Sequence, residues 1–469
     1  MKKPPQTLLT LLMVASATWF SGTTVSAQTR TADGLQGMNW ANPTDNAVGA
    51  AYPYGMTGNE NYEQAVVIGQ KVGNAVKNAG GRTVRMPITT TLATGVHWWR
   101  YAGAINGVTS TGLKVILCWW SDTGHHVGNI NSWYAMWDAV NASYGNTMSV
   151  RYEPINEPLD YNATDLCNLY AAFLNRYRPA DYKCILAGTG WEENVVPVGN
   201  DSRLSRQLLG IHAYHWYFGS HGSWRQYYDS INQRVGSHAW RTVMTEIGVG
   251  NAERPGIAFW QQWRFDEEAD VALLNGALAW ARDNDVATVA WSGVNSPNTD
   301  TYRWFNSWDN MTETNGQVSD MFRWSWKVKN AVVAGTYRLQ NRADGLLLDN
   351  LGSASDGTNI VQWASSASNN QKWKLVQQSS VWYRLQNVAT GKFVDGIGRT
   401  ADGSALSQWA DSGSWNQRWA LSATDSGYYK LINATTGKCI DTGGLTANGS
   451  TVQQWNVGWS YNQEWKFGN

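Results

Sequence analysis

Two short motifs hold the residue types needed for carboxylate chemistry. One is Arg151-Tyr152-Glu153-Pro154-Ile155-Asn156-Glu157-Pro158, and the other is Val243-Met244-Thr245-Glu246-Ile247-Gly248. Each puts a glutamate at the end of an apolar run, where a strand gives way to a loop. Two carboxyl groups converging on one bond can divide the work of breaking it. One stays protonated and donates to a leaving oxygen, while the other stays ionised and attacks. A neighbouring carboxylate raises the pKa of its partner, so such a pair tends to split into an acid and a base. Arg85 in Val84-Arg85-Met86-Pro87, His212 and Tyr214 in His212-Ala213-Tyr214, and Trp291 also stand at the ends of apolar runs.

Residues 28–330 must supply the elements that hold these groups together. Short apolar runs at Leu35–Trp40, Thr83–Pro87, Leu113–Trp120, Met148–Ile155, Lys183–Ala187, Leu209–Tyr214, Thr242–Ile247 and Val286–Trp291 read as strands. Helical patterns at Asn61–Ala79, Asn131–Tyr144, Ala163–Arg176, Trp224–Val235 and Ala258–Arg282 fall between them. Eight strand–helix units in about 300 residues fit an α/β fold, the (β/α)8 TIM barrel, whose working residues lie where strands end. No GxGxxG or P-loop marks a doubly wound nucleotide-binding sheet.

The barrel motifs together resemble clan A of the glycoside hydrolases, most closely family 5. The resemblance spans the whole barrel and rests on five separate strand ends. It implies that Glu157 of Asn-Glu-Pro is the acid/base and Glu246 of Thr-Glu-x-Gly the nucleophile. It also places Arg85 beside the nucleophile, Asn156 on the sugar 2-hydroxyl, His212 and Tyr214 on the substrate side, and Trp291 at a sugar platform. Cleavage with retention then needs the carboxyl groups about 5–5.5 Å apart. Keeping Glu246 ionised is the natural task of Arg85 and the Tyr214 hydroxyl.

Other groups compete for these roles. Glu153, four residues before Glu157, points to the same side of a strand and reads as a buried structural partner deeper in the barrel. Glu192 and Glu193 follow the fifth strand, where substrate contact and a solvated loop charge are both open. His125, His126 and His215 lack the spacing of a metal site, so neither a metal nor a cofactor is expected. Trp98, Trp99, Trp119, Trp120, Trp191 and Trp216 lie at or near strand ends, suiting a chain of sugars, whereas Trp137, Trp260, Trp263 and Trp280 read as helix core.

Residues 331–469 repeat three times without a gap. Tyr337, Tyr383 and Tyr429 are spaced 46 residues apart, as are Asp349, Asp395 and Asp441. The same spacing relates Trp363, Trp409 and Trp455, and each copy ends in Asn-Gln-x-Trp at Trp373, Trp419 and Trp465. Short strands between Gly, Asn, Ser and Asp clusters make this an all-β trefoil domain closed about a pseudo-three-fold axis. It resembles the ricin-B-type β-trefoil, family 13 of the carbohydrate-binding modules. The resemblance implies three pockets: Asp349, Trp363, Asn370 and Gln371; Asp395, Trp409, Asn416 and Gln417; Asp441, Trp455, Asn462 and Gln463. In each, Asp and Asn bond sugar hydroxyls, Gln supports Asp, and the ring stacks on sugar. Trp373, Trp419 and Trp465 read as core plugs.

Composition narrows the partners. The 469 residues carry 36 Lys+Arg against 36 Asp+Glu, only 15% are charged, and 29 are tryptophan. Such a chain has no electrostatic footprint for nucleic acid or an anionic membrane, and suits an uncharged polysaccharide. A monomer is expected. Lys2 and Lys3, an apolar run from Leu8 to Phe20 and the small residues Val25-Ser26-Ala27 read as a signal peptide over 1–27, implying export to the extracellular space or periplasm. Cys167 and Cys184 are then the plausible disulfide, with Cys118 and Cys439 as core thiols. The sequence therefore points to a secreted retaining β-glycoside hydrolase, endo-acting on a neutral polysaccharide. β-Glucan is first, with β-mannan, β-galactan and xylan behind it. A carbohydrate-binding protein without catalysis and a transglycosylase are the alternatives.

Overall fold

A computed structural model describes residues 34–468, except 42–51, 121–123, 219–223, 249–268, 296–303, 306, 314–315, 327–331, 333, 379–381, 424–426 and 458–459. The leader expected at 1–27, Trp260, Trp263 and most of the join between the two domains lie outside the described residues.

Eight parallel strands form the barrel: β1 Gly37–Trp40, β2 Thr83–Ile88, β3 Lys114–Trp119, β4 Val150–Glu153, β5 Ile185–Ala187, β6 Leu208–Ala213, β7 Thr242–Gly248 and β8 Ala287–Val294. They pair in the order β4-β3-β2-β1-β8-β7-β6-β5, and a parallel bridge between Tyr152 and Cys184 joins the two ends. The helices are α1 Tyr62–Asn78, α2 Gly95–Ser110, α3 Ile130–Tyr144, α4 Ala163–Tyr177, α5 Val196–Gly199, α6 His215–Phe218, α7 Trp224–Val235, α8 Ala269–Asp283 and α9 Gly316–Ser325.

Local sequence explains how these elements start and pack. Asn61 caps α1 through a reciprocal box with Gln64, satisfying two backbone donors that would otherwise be orphaned. The buried residues Ala65, Gly69, Val72, Gly73 and Val76 then follow at helical spacing. A Cβ at Gly69 would lie 2.1 Å from the Ala104 carbonyl oxygen, so only glycine lets α1 and α2 approach this closely. Leu35, Ile116, Ile185, Leu208, Val243 and Val289 form a separate aliphatic cluster inside the barrel. At the strand ends the ladder is irregular, with register shifts at Ile211/His212 and between Met244 and Ile247. Such bulges re-aim side chains, here those of His212 and Glu246.

The repeats form a β-trefoil. Trp373, Trp419 and Trp465 are fully buried together with Leu339, Leu385 and Leu431. Their indole N–H groups donate to the carbonyls of Leu348, Val394 and Ile440 at 2.9, 3.2 and 3.1 Å. Each plug thus fixes the strand that delivers Asp349, Asp395 or Asp441. Neighbouring repeats also interlock at the rim. A Cβ at Gly449, Gly357 or Gly403 would lie 3.2, 3.4 or 3.4 Å from the ring of Trp363, Trp409 or Trp455 of another repeat. Lys392 pairs with Asp356, and Lys438 with Asp402. At the third seam both partners are neutral, Leu346 and Asn448.

The trefoil packs on the barrel rather than hanging from it. Trp224 of α7 meets Trp382 with ring centroids 5.1 Å apart, and the Arg225 guanidinium lies 4.4 Å above Trp415. Arg282 of α8 hydrogen-bonds Tyr383.

The expected Cys167–Cys184 disulfide does not form, and all four cysteines are free and buried. Cys167 lies on the buried face of α4 near Asp201, whereas Cys184 stands at the β4–β5 closure beside Lys183 and Arg151. Burial pushes the Cys167 thiol up to about 11 and the Cys184 thiol to about 12. Without reductant, a thiol reagent should therefore modify none of the four cysteines in the native protein and all four after unfolding in denaturant.

Candidate active site

Arg85 is the centre of the polar end of the barrel. From β2 its Nε and Nη2 donate to the two oxygens of Glu153, each at 2.7 Å. Nη2 also donates to Asn156 Oδ1 at 2.7 Å, and Nη1 to Asn39 Oδ1 at 2.9 Å and to Glu246 Oε1. Nη2 further approaches Cys118 Sγ at 3.0 Å, so this core thiol is part of the site's floor. Glu153 is fully buried, with both oxygens committed to the guanidinium. Asn39 ties the strand ends together by donating to the Thr245 and Ala290 carbonyls at 3.1 and 3.2 Å.

The two motif glutamates meet above this floor. Glu246 is buried, and its second oxygen accepts from the Tyr214 hydroxyl at 2.6 Å. Glu157 leaves β4 in the left-handed region at φ 44° and keeps 13% of its side chain exposed, against 3% for Glu246. A left-handed non-glycine backbone costs on the order of 1 kcal/mol, and such residues cluster at active sites. Glu157 Oε1 accepts from the Tyr217 hydroxyl at 2.7 Å and lies 2.9 Å from His212 Nδ1. The same nitrogen is 3.6 Å from Glu246 Oε2. Ligand atoms of Glu157, His212 and Glu246 all fall within 4.8 Å of one another.

Burial raises both carboxyl pKa values above the ordinary range. For Glu157 this is opposed chiefly by Tyr217, and for Glu246 by His212 and Arg85. The donor sets differ: Glu246 has a guanidinium and a phenol in contact, whereas Glu157 has a phenol and a neutral imidazole. The charge is therefore better supported on Glu246 and the proton on Glu157.

Aromatic rings line the opening. Trp120 stacks on Trp291 at 5.5 Å, leaving Trp291 only 5% exposed and Trp120 half-buried as the outer ring. Trp191 stacks on Tyr217 at 5.8 Å, and His125 packs edge-on against Trp191 at 4.4 Å. Trp119 is buried against Trp133, a core role, and His126 pairs with Asp160.

All seven barrel residues expected at the site converge there: Arg85, Asn156, Glu157, His212, Tyr214, Glu246 and Trp291. Asn39, Tyr217 and Glu192 join them without having been singled out for the catalytic pair. A polar Asn39 inside the apolar run Leu35–Trp40 was the available signal for the first. The open choice for Glu192 and Glu193 resolves differently for each. Glu193 is half-buried and pairs with Arg234 at 3.0 Å. Glu192 is fully buried behind His212, so it is neither a solvated charge nor a group exposed to substrate. Nothing in two adjacent glutamates tells which one turns inward.

In the trefoil, Asp349, Asp395 and Asp441 are buried and accept from the backbone N–H of Leu351, Ile397 and Gly443. Trp363, Trp409 and Trp455 are exposed, and Asn370, Asn416 and Asn462 half-buried. The expected Gln-to-Asp support occurs in the third repeat, where Gln463 donates to Asp441 Oδ2 at 2.7 Å. All three glutamines donate to the equivalent loop carbonyl, of Ala364, Ala410 and Asn456, and in the first two repeats that is the amide's bond without one to the aspartate.

A parallel barrel with paired carboxylates at its strand ends defines a glycoside hydrolase architecture. The model of the cellulase family, glycosyl hydrolase family 5, matches residues 44–299, and the chain belongs to that family. The ricin-type beta-trefoil lectin domain-like model matches residues 322–409 and 415–469. Endoglucanase Z of Dickeya dadantii (strain 3937) is 22% identical over 239 residues, 50% of this chain and 51% of that protein. The chain thus spans about half the length of this curated relative. Two solved structures are each 35% identical with a TM-score of 0.28. The designed three-fold symmetric protein ThreeFoil is matched over 29% of this chain and 98% of its own. The exo-beta-1,3-galactanase 1,3Gal43A from Clostridium thermocellum is matched over 28% of this chain and 29% of its own.

Arg85→Leu should leave Glu153 and Glu246 as buried carboxylates without their counter-charge, lowering unfolding stability by about 3–5 kcal/mol. Denaturant titration should show that loss at neutral pH and a smaller one in acid, where Glu246, its pKa already raised by burial, takes up a proton.

Proposed function

We propose that this chain is a retaining O-glycosyl hydrolase that cuts a neutral polysaccharide internally, with Glu157 as acid/base and Glu246 as nucleophile. The observation that carries this reading is the approach of the Glu157 and Glu246 carboxylate oxygens to within 4.8 Å. Retention by direct attack needs carboxyl groups about 5–5.5 Å apart, whereas inversion needs about 6.5–9.5 Å to admit a water.

The chemistry follows from the donor sets. Arg85 and Tyr214 hold Glu246 ionised and aimed, so that it attacks the anomeric carbon as the glycosidic bond breaks. Glu157 delivers its proton to the leaving oxygen, then takes one from the water that hydrolyses the glycosyl–enzyme ester. Tyr217 and His212 occupy Oε1 of Glu157, which leaves Oε2 to carry the proton. Asn156 accepts from Arg85 through Oδ1, so its amide nitrogen is the group that donates to a sugar hydroxyl. The half-buried rings of Trp120 and Trp191 give stacking surfaces along the cleft.

The similarity to an endoglucanase and the charge-poor composition favour β-glucan and internal cleavage. The trefoil pockets at Asp349, Asp395 and Asp441 bind the same polysaccharide and raise its local concentration at the barrel. Export follows from the leader read in residues 1–27. No helix among the described residues is long and apolar enough to cross a membrane.

Release of reducing ends from a panel of neutral β-glycans tests the reading. Glu157→Ala and Glu246→Ala should each lower kcat by at least about 10²–10⁴-fold while polysaccharide binding persists. Equal binding by all three proteins with no sugar released by any would reduce the chain to a binding protein, and an inverted product anomer would remove Glu246 from its role. Tyr217→Phe deletes a bond that favours the ionised form of Glu157. The alkaline limb of the kcat/KM profile should therefore move to higher pH, with the acid limb, set by Glu246, nearly unchanged.

A further inference from the structure

Glu192 is a third carboxyl of the site, held on the far side of His212 from the reacting groups. It lies on the turn after β5 with φ 58°, fully buried. Its Oε1 accepts from Thr245 Oγ1 at 2.8 Å, next to Glu246. Its Oε2 accepts from the Glu157 backbone N–H at 3.4 Å and lies 3.2 Å from His212 Nε2. The space it fills is kept open by Gly210, where a Cβ would come within 2.2 Å of Oε1. One carboxyl therefore touches the strand ends that carry Glu157, His212 and Glu246.

The position of its proton follows from His212. Nδ1 faces two carboxyl oxygens, Glu157 Oε1 at 2.9 Å and Glu246 Oε2 at 3.6 Å, and Oε1 already accepts from the Tyr217 hydroxyl, an arrangement that suits a hydrogen on Nδ1. Burial lowers the imidazole pKa to about 4, so the ring is neutral and has a single N–H. Nε2 is then a buried lone pair that makes no hydrogen bond among the described residues, with Glu192 Oε2 3.2 Å away. Against that lone pair an ionised carboxylate would be repulsive, and a protonated one would donate.

The surroundings of Glu192 favour the protonated form. Burial comes first, then Glu153, whose oxygens Arg85 already occupies; Glu246 adds to it, while Arg85 and the Thr245 bond oppose it. Cys118 and Tyr170 also face this carboxyl, and burial keeps both of them neutral.

We propose that Glu192 is a proton-holding positioning residue, donating from Oε2 to His212 Nε2 and so fixing His212 with Nδ1–H toward Glu157 and Glu246. The inference rests on Glu157 acting as acid/base. It adds that the imidazole is oriented from behind by a neutral acid. Nδ1–H then stays on Oε1 of Glu157 whether Oε2 holds its proton or has given it to the leaving oxygen.

The test uses the full chain labelled with [15N]histidine and [13C]glutamate. At neutral pH the His212 signals, identified by their loss in His212→Asn, should report Nδ1–H. The carboxyl signal lost in Glu192→Gln should report a protonated acid. Glu192→Leu should lower kcat about 10–100-fold with KM little changed, and move the alkaline limb up as Nδ1–H weakens as a donor. Glu192→Gln, which keeps a donor in the same place, should recover at least tenfold of that loss. An ionised Glu192, an Nε2–H tautomer, or a glutamine variant as impaired as the leucine variant overturns the proposal. The spectra do not depend on turnover, so they decide the proton on Glu192 even if no glycan is cleaved. Conversely, cleavage with contrary spectra removes only this inference. Should the leucine variant not fold, wild type and Glu192→Gln still decide it.

Discussion

The active end of the barrel depends on one buried guanidinium. Arg85 binds Glu153 through both oxygens, Asn156, Asn39 and Glu246 at once. A charge taken this far from water is tolerable only when paired and hydrogen-bonded in full. Asn39 comes from β1, Glu153 and Asn156 from the end of β4, and Glu246 from β7, so satisfying Arg85 of β2 also sets where these four strands finish. Glu153 compensates the charge, and that frees Glu246 to be held without being neutralised by a private ion pair.

Much of this was legible in the sequence because it is carried by strand ends. Apolar runs bounded by polar clusters mark the eight strands, and the residues at their C-terminal ends can only point into one shared opening. The trefoil was more legible still, since a strict 46-residue period repeats the core tryptophans Trp373, Trp419 and Trp465 and the rim tryptophans Trp363, Trp409 and Trp455. Three things were not legible, and each is a matter of geometry within a loop or a bulge. The turn after β5 decides that Glu192 goes inward and Glu193 outward. The short helix α6 brings the Tyr217 hydroxyl back onto Glu157. Cys167 and Cys184 share an oxidisable chemistry but belong to layers of the barrel that face different neighbours.

The two domains meet through aromatic and cation–π contacts around Trp224, Trp382, Arg225 and Trp415. Trp415 precedes Asn416, yet it is held between Arg225 and Arg418 at 4.4 and 4.2 Å. Trp415 is thus committed to the contact between the two domains. The second repeat serves docking where the first, with Asn369 at the same place, has no ring.

The rim contacts between repeats make each exposed ring a joint product of two repeats. Each exposed tryptophan belongs to one repeat, while the glycine beneath its ring belongs to another, around the full circle. A 46-residue copy therefore supplies a ring but not the surface beneath it, and the rim is complete only in the closed trefoil. The seam between third and first repeats, with Leu346 and Asn448 in place of a lysine and an aspartate, gives that ring a distinguishable beginning. Three copies of one fold could in principle trade places during closure or between molecules. A single uncharged seam means that only one cyclic order matches every lysine to its aspartate.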